Sequence, residues 1–447
     1  MTDYSLDDHA FIWHPFTQMK GWLGSEPLVI ERGEGSYLID VDGNRYIDGV
    51  SSLWLTVHGH REPALDEALR LQIDRIAHST MLGLTNVPSV ELAAELIRTA
   101  PPGLAKVFFS ESGASAVEVA VKMAFQYWRQ VGRPEKQRFV SFEYAYHGDT
   151  LGAVSVGGID AFHEIFRPLL FTTFRAASPY CYRCPLGLTY PSCEIACLSS
   201  LETILASHSS GIAAVIIEPV VQGAGGMITA PAGHLARVRA LCDRYDVLLI
   251  TDEVATGVGR TGMMWASTRE GVSPDLMCAG KGISGGYLPL SATFASQKIF
   301  DAFLGDSHTE NTFFHGHSYS GNPLAAAVSV ANLRLIEERN VLREVRRKAA
   351  NLADHLKPLG ELPHVGDVRQ RGFMVGIELV ADRASREPFA PGLRMGWRVI
   401  EEARRRGVII RPLGDVIVLM PPLGIGDDTL EELARVTTDS IAAVTSS

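Results

Sequence analysis

The chain has no excess of positive charge. Its 41 Lys and Arg are outnumbered by 51 Asp and Glu, for a net charge of −10. A surface that binds nucleic acid needs clustered cations to meet phosphates, so that function class is set aside. The basic run Arg404, Arg405, Arg406 is short and reads as a solvated helix face. Cysteine is scarce: six in 447 residues are too few for a disulfide scaffold. No apolar stretch approaches the length that spans a bilayer. The opening MTDYSLDDHAFIWHP is acidic and has no apolar core of signal-peptide length, so a cytoplasmic address is expected. There is no internal repeat and no low-complexity linker.

What is present is ordinary for a globular protein, with 46% hydrophobic and 21% charged residues. At roughly 150 residues per domain the length suggests two or three domains. From about Pro88 to Val330, short apolar runs alternate with helical patterns, which predicts an α/β domain with a mostly parallel sheet. The strand candidates are Lys106 to Ser110, Arg138 to Phe142, Ala213 to Glu218, Val247 to Asp252, Asp275 to Ala279 and Leu290 to Ala295. Strands covered on both faces read as continuous apolar runs, and these do. Residues Leu28 to Asp48 read as an antiparallel hairpin turning near Asp42 and Gly43. After Leu333 helices mix with short strands, Phe373 to Leu379 and Val416 to Leu419. The expected division is a small α+β domain from residues 1–60 and 331–447, flanking a large domain over 61–330. A helix from about Gly321 to Glu338 joins them.

Several strand candidates run into polar or glycine-rich clusters. Lys106 to Ser110 is followed by Glu111, Ser112 and Gly113. Arg138 to Phe142 is followed by Tyr144, Tyr146, His147, Gly148 and Asp149. The other clusters are Glu218 with Gln222, Asp252 with Glu253, and Gly280, Lys281, Gly282. Ligands bind outside the carboxyl ends of parallel strands, so these residues should converge on one cleft. Lys281 follows a buried strand between two glycines. A desolvated lysine near another cation becomes nucleophilic toward carbonyls, as a Schiff-base lysine must be. Asp252 ends a very apolar strand, where a carboxylate is costly without a partner. A protonated pyridine nitrogen is such a partner; a helix N-cap is the plainer alternative. Ser112, Gly113 and Ala114 open a helix, where free N–H groups attract phosphate.

Two motifs compete with that reading. Gly257 to Gly262, GVGRTG, fits the dinucleotide pattern G-x-G-x-x-G, but it is separated from the preceding strand by DEVAT. The pattern of a phosphate-binding P-loop fails at Asp275 and Gly282. Cys181, Cys184, Cys193 and Cys197 have a spacing that resembles a structural metal site, although the second pair follows the first unusually closely. A reduced or disulfide-linked surface loop is the other reading.

The longer motifs carry a resemblance. TDEVATGVGRTG from Thr251, AGKGISGGYLPLSA around Lys281 and IEPVVQGAGGM from Ile217 resemble the signatures of class III (ornithine/4-aminobutyrate type) pyridoxal-phosphate aminotransferases. WHPFTQMK from Trp13, SSLW from Ser51, HGH from His58, SGASAVEVAVKMAFQYW from Ser112, YHGDTLGAVSVG from Tyr146 and RPLGDVI from Arg411 resemble one branch. That branch aminates 8-amino-7-oxononanoate to 7,8-diaminononanoate in biotin biosynthesis. The resemblance implies pyridoxal-phosphate fold type I, pyridoxal 5′-phosphate as cofactor, small-molecule substrates, and a homodimer with shared active sites. It implies Lys281 as the Schiff-base lysine, Asp252 at the pyridine nitrogen, and Val254 and Tyr146 packing on the ring. Ser112, Gly113 and Ala114 would meet the phosphate, and Ser318 would reach it from the partner chain. Phe16, Trp54, Asp149, Gly316 and Arg411 fall at substrate positions, with Arg411 binding a carboxylate. Phe16 stands where Tyr is frequent, His317 and Ser318 where Pro-Thr is frequent, and Ala114 where Ser is frequent. The implied amino donor is S-adenosylmethionine or lysine, and WHPFTQMK and HGHSYSGN look closer to the lysine branch. An ω-amino acid:pyruvate transaminase of the same class is the second reading.

Overall fold

The computed structural model describes residues 4–446. Near the N-terminus, β1 (Ile30–Glu34), β2 (Tyr37–Asp40) and β3 (Arg45–Asp48) form a meander of three strands. The sequence suggested a single hairpin; a second turn at Gly35, with φ +55°, splits its first arm. The expected turn at Asp42 and Gly43 connects β2 to β3, and the carboxylate of Asp40 accepts the N–H groups of Asp42 and Asn44 across it.

The large sheet contains β4 (Leu104–Ser110), β5 (Arg138–Phe142), β6 (Thr173–Ala176) and β7 (Ile212–Ile217). A short ribbon, β8 (Val221–Gln222) with β9 (Ile228–Thr229), lies beyond β7. The sheet continues with β10 (Leu248–Asp252), β11 (Leu276–Ala279) and β12 (Ser291–Ser296), in the order β4-β12-β11-β10-β7-β5-β6. Only β12 runs against its neighbours. All six strand candidates are present to within two residues. The edge strand β6, TFRA, went unseen because it is short and only partly buried, so it lacks the apolar run of the central strands. Every residue of β7 and β10 is buried.

The last third of the chain adds β13 (Val365–Arg371), β14 (Met374–Leu379), β15 (Val408–Ile409), β16 (Arg411–Leu413) and β17 (Val416–Leu419). Four of them form a sheet in the order β13-β14-β17-β16. The fifth, β15, crosses to the other end of the chain and pairs in parallel with β3. Helix Pro323–Glu338, capped by the Asn322 side chain, packs on helices Pro63–Ile73 and Val87–Thr99. One apolar core, including Trp265, Phe294, Phe373 and Ile417, runs from the large sheet into the C-terminal sheet. Each such side chain contributes about 1.5–3 kcal/mol by leaving water.

Among the described residues, no helix is long and apolar enough to cross a membrane.

Candidate active site

The parallel strands β4, β5, β7, β10 and β11 share one direction, so their carboxyl ends open on one side of the sheet. Beyond them lies a cavity of about 450 Å³, bordered by Trp54, Ser112, Gly113, Ala114, Tyr146, Asp149, Asp252, Val254 and Lys281. These nine sequence-derived candidates meet there. Phe16, Gly316, Ser318 and Arg411 are not on its wall.

Lys281 leaves β11 through a left-handed backbone, φ +43°. Its ammonium group lies 5.2 Å from the centre of the Trp54 ring and has no hydrogen bond or ion pair within the described residues. Burial pulls its pKa below the ordinary lysine value. Asp252 and Glu218 act against that shift, and Arg260 acts with it. A lysine amine shed of its proton is the nucleophilic form.

Asp252 closes β10 and is 4% exposed. One of its carboxylate oxygens accepts the N–H of Val254 at 3.0 Å, and the other meets His147 Nδ1 at 2.8 Å. The second ring nitrogen of His147 is buried without a partner. Glu218, past the end of β7, accepts the backbone N–H groups of Tyr146 at 3.0 Å and Gly223 at 2.8 Å. Burial pushes its carboxyl up to about 7. The Tyr146 hydroxyl donates to Asp149 Oδ2 at 2.7 Å, and burial raises its pKa well above the usual tyrosine range.

Helix Gly113–Gln130 starts at the cavity wall, with the Ser112 hydroxyl accepting the Ser115 N–H. The N–H groups of Gly113 and Ala114 precede the first intrahelical donor and have no acceptor among the described residues. Two close approaches shape this corner. A Cβ at Gly113 would come 2.6 Å from Val254, and one at Gly148 would come 2.4 Å from the Ala114 methyl. The result is an anion cradle at a helix N-terminus, opposite a buried carboxylate and an unpartnered lysine. The orphaned donors, the free amine and Asp252 fit a pyridoxal phosphate, with phosphate, aldehyde and pyridine nitrogen each provided for.

The Trp54 wall is strained. Ser51, Ser52 and Trp54 have φ of +51°, +59° and +67°. Each such non-glycine residue costs about 1–3 kcal/mol and persists only where its surroundings fix it. Here Asp48 accepts the Ser52 N–H at 2.8 Å, and the Ser51 hydroxyl donates to Met420 O at 2.6 Å. Arg260, 2% exposed, donates to Ser51 Oγ, Thr56 O and Pro421 O.

The remaining candidates lie off the cavity wall. Arg411 opens β16 half-buried; burial lowers its pKa, and Tyr146 acts against that shift. Phe16 packs edge-on against Phe162 at 5.4 Å, and Phe162 in turn faces Tyr146 at 6.4 Å. Gly316 and Ser318 lie in an exposed segment whose His317 meets Glu111 at 2.6 Å.

GVGRTG forms a looped turn after Glu253, not a junction of strand and helix, so it does not build a dinucleotide site. The four clustered cysteines are free and line one narrow cavity. Burial and the three neighbouring thiols push Cys197 up to about 11. Among the described residues no group of three or more His, Cys, Asp or Glu could hold a metal ion.

Sequence reasoning named His147 and Glu218 as part of the convergent cluster but gave them no role. It missed Arg260 and Phe162. Arg260 was hidden in a motif read for its glycines, and Phe162 stands in a segment with no polar signal.

Residues 21–441 match the model of the class-III aminotransferases, and the chain belongs to that family. It is a pyridoxal-phosphate-dependent aminotransferase of fold type I. It is 56% identical, over the whole length of both chains, to the adenosylmethionine-8-amino-7-oxononanoate aminotransferase of Geobacter sulfurreducens. The crystal structure of the enzyme of that name from Methanocaldococcus jannaschii superposes with a TM-score of 0.94 at 43% identity, covering 98% of each chain. An amine transaminase from an uncultivated Pseudomonas species, solved in its PLP-bound form, superposes at 0.91 with 39% identity over 98% of each chain.

Proposed function

We propose that this chain is a diaminopelargonic acid aminotransferase, transferring an amino group to 8-amino-7-oxononanoate to give 7,8-diaminononanoate in biotin biosynthesis. The full-length 56% identity to a relative of that name is the observation that carries the reading. The relative's name supports S-adenosylmethionine as donor. Phe16, His317 and Ser318 are the residues that favour lysine instead.

Bound pyridoxal phosphate supplies an electron sink for the carbanion formed at the amino-bearing carbon. Lys281 is the residue that would hold it covalently. Freed from it by the amino donor, the Lys281 amine would move a proton from the amino-bearing carbon of the donor to the carbon of the cofactor, first as base and then as acid. Asp252, backed by His147, would hold the pyridine nitrogen protonated. Gly113 and Ala114 would bind the phosphate through their N–H groups, beside the Ser112 hydroxyl. Val254 and Tyr146 would enclose the ring. Trp54, Asp149 and Phe16 would line the substrate path, and the Arg411 guanidinium would hold a substrate carboxylate, a task suited to its bidentate geometry.

A homodimer is part of the proposal. Segments 78–87 and 314–322 lie side by side: Asn86 Nδ2 donates to Gly321 O at 3.0 Å, and the His78 and Tyr319 rings are 5.1 Å apart. Leu82 is 89% exposed, Phe314 73% and Tyr319 64%. A second copy would cover this apolar face and bring Gly316 and Ser318 to the partner's phosphate cradle. A cytoplasmic location accords with the substrate.

The test is turnover of 8-amino-7-oxononanoate by the cofactor-loaded protein, with S-adenosylmethionine in one reaction and lysine in another. Formation of 7,8-diaminononanoate with S-adenosylmethionine is expected. Formation with lysine alone would make Phe16 and His317 specificity determinants. Failure with both donors, alongside turnover of ω-amino acids with pyruvate, would replace this reading with the ω-transaminase one.

A further inference from the structure

Transamination leaves the four clustered cysteines without a role. Cys181, Cys184, Cys193 and Cys197 are free, and all four border one cavity of about 20 Å³. The rest of that cavity's wall is uncharged. Cys181 is exposed and the other three are half-buried. No helix or strand lies between Ala176 at the end of β6 and Leu198. The segment is instead a succession of turns, with the Gly187 N–H donating to Cys184 O and the Ala196 N–H to Cys193 O.

Two hydrogen-bonded routes lead from this loop to the active-site wall. Ser178 Oγ donates to Gln222 Oε1 at 2.5 Å, and Gln222 Nε2 donates to Glu143 O at 2.9 Å. Gln222 is followed by Gly223, whose N–H is held by Glu218, and by Ala224, which borders the active-site cavity. On the second route, Arg183 Nε donates to Glu378 Oε1 at 2.5 Å, and the Tyr180 hydroxyl donates to the other oxygen. Arg369 binds Glu378 at 2.7 Å and donates to Gly226 O at 2.9 Å. Both routes end in the segment 222–226.

We propose that this loop is a reversible dithiol–disulfide site, entered through Cys181, whose oxidation state reaches the active-site wall through Gln222 and Gly226. The co-reactant is a low-molecular-weight disulfide of the glutathione class. The Cys181 thiolate attacks one of its sulfurs and releases the first small thiolate. A neighbouring loop thiol gives up its proton and attacks the Cys181 sulfur, releasing the second. Two protein thiols become one disulfide and the small disulfide becomes two thiols, so atoms and electrons balance. A disulfide holds its sulfurs about 2 Å apart, so its formation contracts the cavity and pulls on the Ser178, Tyr180 and Arg183 anchors. Burial, with the Cys193 and Cys184 thiols, raises the Cys181 thiol above its ordinary value. The thiolate is the attacking form, so the loop follows a sustained redox poise and not a brief burst of oxidant. The proposal goes beyond transamination and holds for either amino donor.

The experiment equilibrates the holoenzyme in mixtures of reduced and oxidised glutathione, quenches with acid, and counts and maps the thiols. The six free thiols should fall by the two in the bridge, to four, with Cys242 and Cys278 still reduced. The rate at which the amino donor converts the bound cofactor, read by absorbance, should fall about two- to thirtyfold on oxidation and recover with dithiothreitol. Cys181→Ser should keep the rate of the reduced enzyme and abolish both the bridge and the loss. Six thiols retained in the most oxidising mixture, or a bridge that leaves the rate unchanged, would overturn the proposal. So would stoichiometric zinc that must be removed before any loop thiol reacts. Should Cys181→Ser fail to fold, alkylation of Cys181 in the native wild type takes its place. It should block the bridge, and a bridge formed regardless overturns the proposal.

Discussion

His147 Nδ1 stands 2.8 Å from Asp252 Oδ2, and both side chains are closed off from solvent. The contact turns an isolated buried carboxylate into one held in a fixed direction. Replacing Asp252 with Asn should leave the protein folded and lower kcat by 10- to 100-fold or more, since a hydrogen bond to a charged group is worth about 1.5–3 kcal/mol. His147→Ala acts through Asp252 and should cost less, about tenfold. Steady-state rates for the two variants and the double variant check this; additive losses would show that the two residues do not act together.

Lys281→Ala should retain the fold and lose turnover. Circular dichroism should match the wild type, while the product falls to the level of a blank. Normal turnover by this variant would end the assignment of Lys281.

Arg411→Ala should raise KM for the carboxylate-bearing substrate by about 10- to 100-fold, with a smaller change in kcat. An equal fall in kcat with KM unchanged would place Arg411 away from ground-state binding.

Glu218 links stability to pH. Its folded-state pKa, about 7, is raised by burial above the ordinary value of 4.5. Below pH 4.5 both folded and unfolded forms are protonated, and the group has no effect. Between 4.5 and 7 the unfolded chain releases the proton first, so stability falls as pH rises. The loss reaches about 3 kcal/mol and is complete above the folded pKa. Chemical denaturation of wild type and Glu218→Gln across pH 4 to 8 should show wild type losing ground to the variant over this window. Parallel curves would contradict the raised pKa.

Self-association should depend on the exposed face. Leu82→Asp is expected to shift the protein toward monomer in sedimentation, and Ser318→Ala to weaken cofactor retention several-fold without changing oligomeric state.

Much of the site was legible because its chemistry sits at the ends of apolar strands. Lys281 and Asp252 follow β11 and end β10, where a charged residue contrasts sharply with what precedes it. Ser112 to Ala114 declare a helix start. The supports were not legible. Arg260 donates to Ser51, Thr56 and Pro421, which come from opposite ends of the chain, and spacing says nothing about such contacts. The left-handed turn at Ser51 to Trp54 contains no glycine to announce it. The edge strand β6 and the division of the first hairpin into three strands escaped because short, half-exposed strands carry weak periodicity.

The pairing of β3 with β15 also constrains when the site can exist. Ile47 and Asp48 meet Val408 and Ile409, and the Ser51 hydroxyl is anchored on Met420. During synthesis, at about 5–20 residues per second, the Trp54 turn waits on the order of tens of seconds for these partners. A chain interrupted before Met420 has Lys281 and Asp252 but lacks the Met420 anchor of that turn. Arrival of the C-terminal strands thus acts as a completion check, delaying a finished catalytic wall until nearly the whole polypeptide has been made.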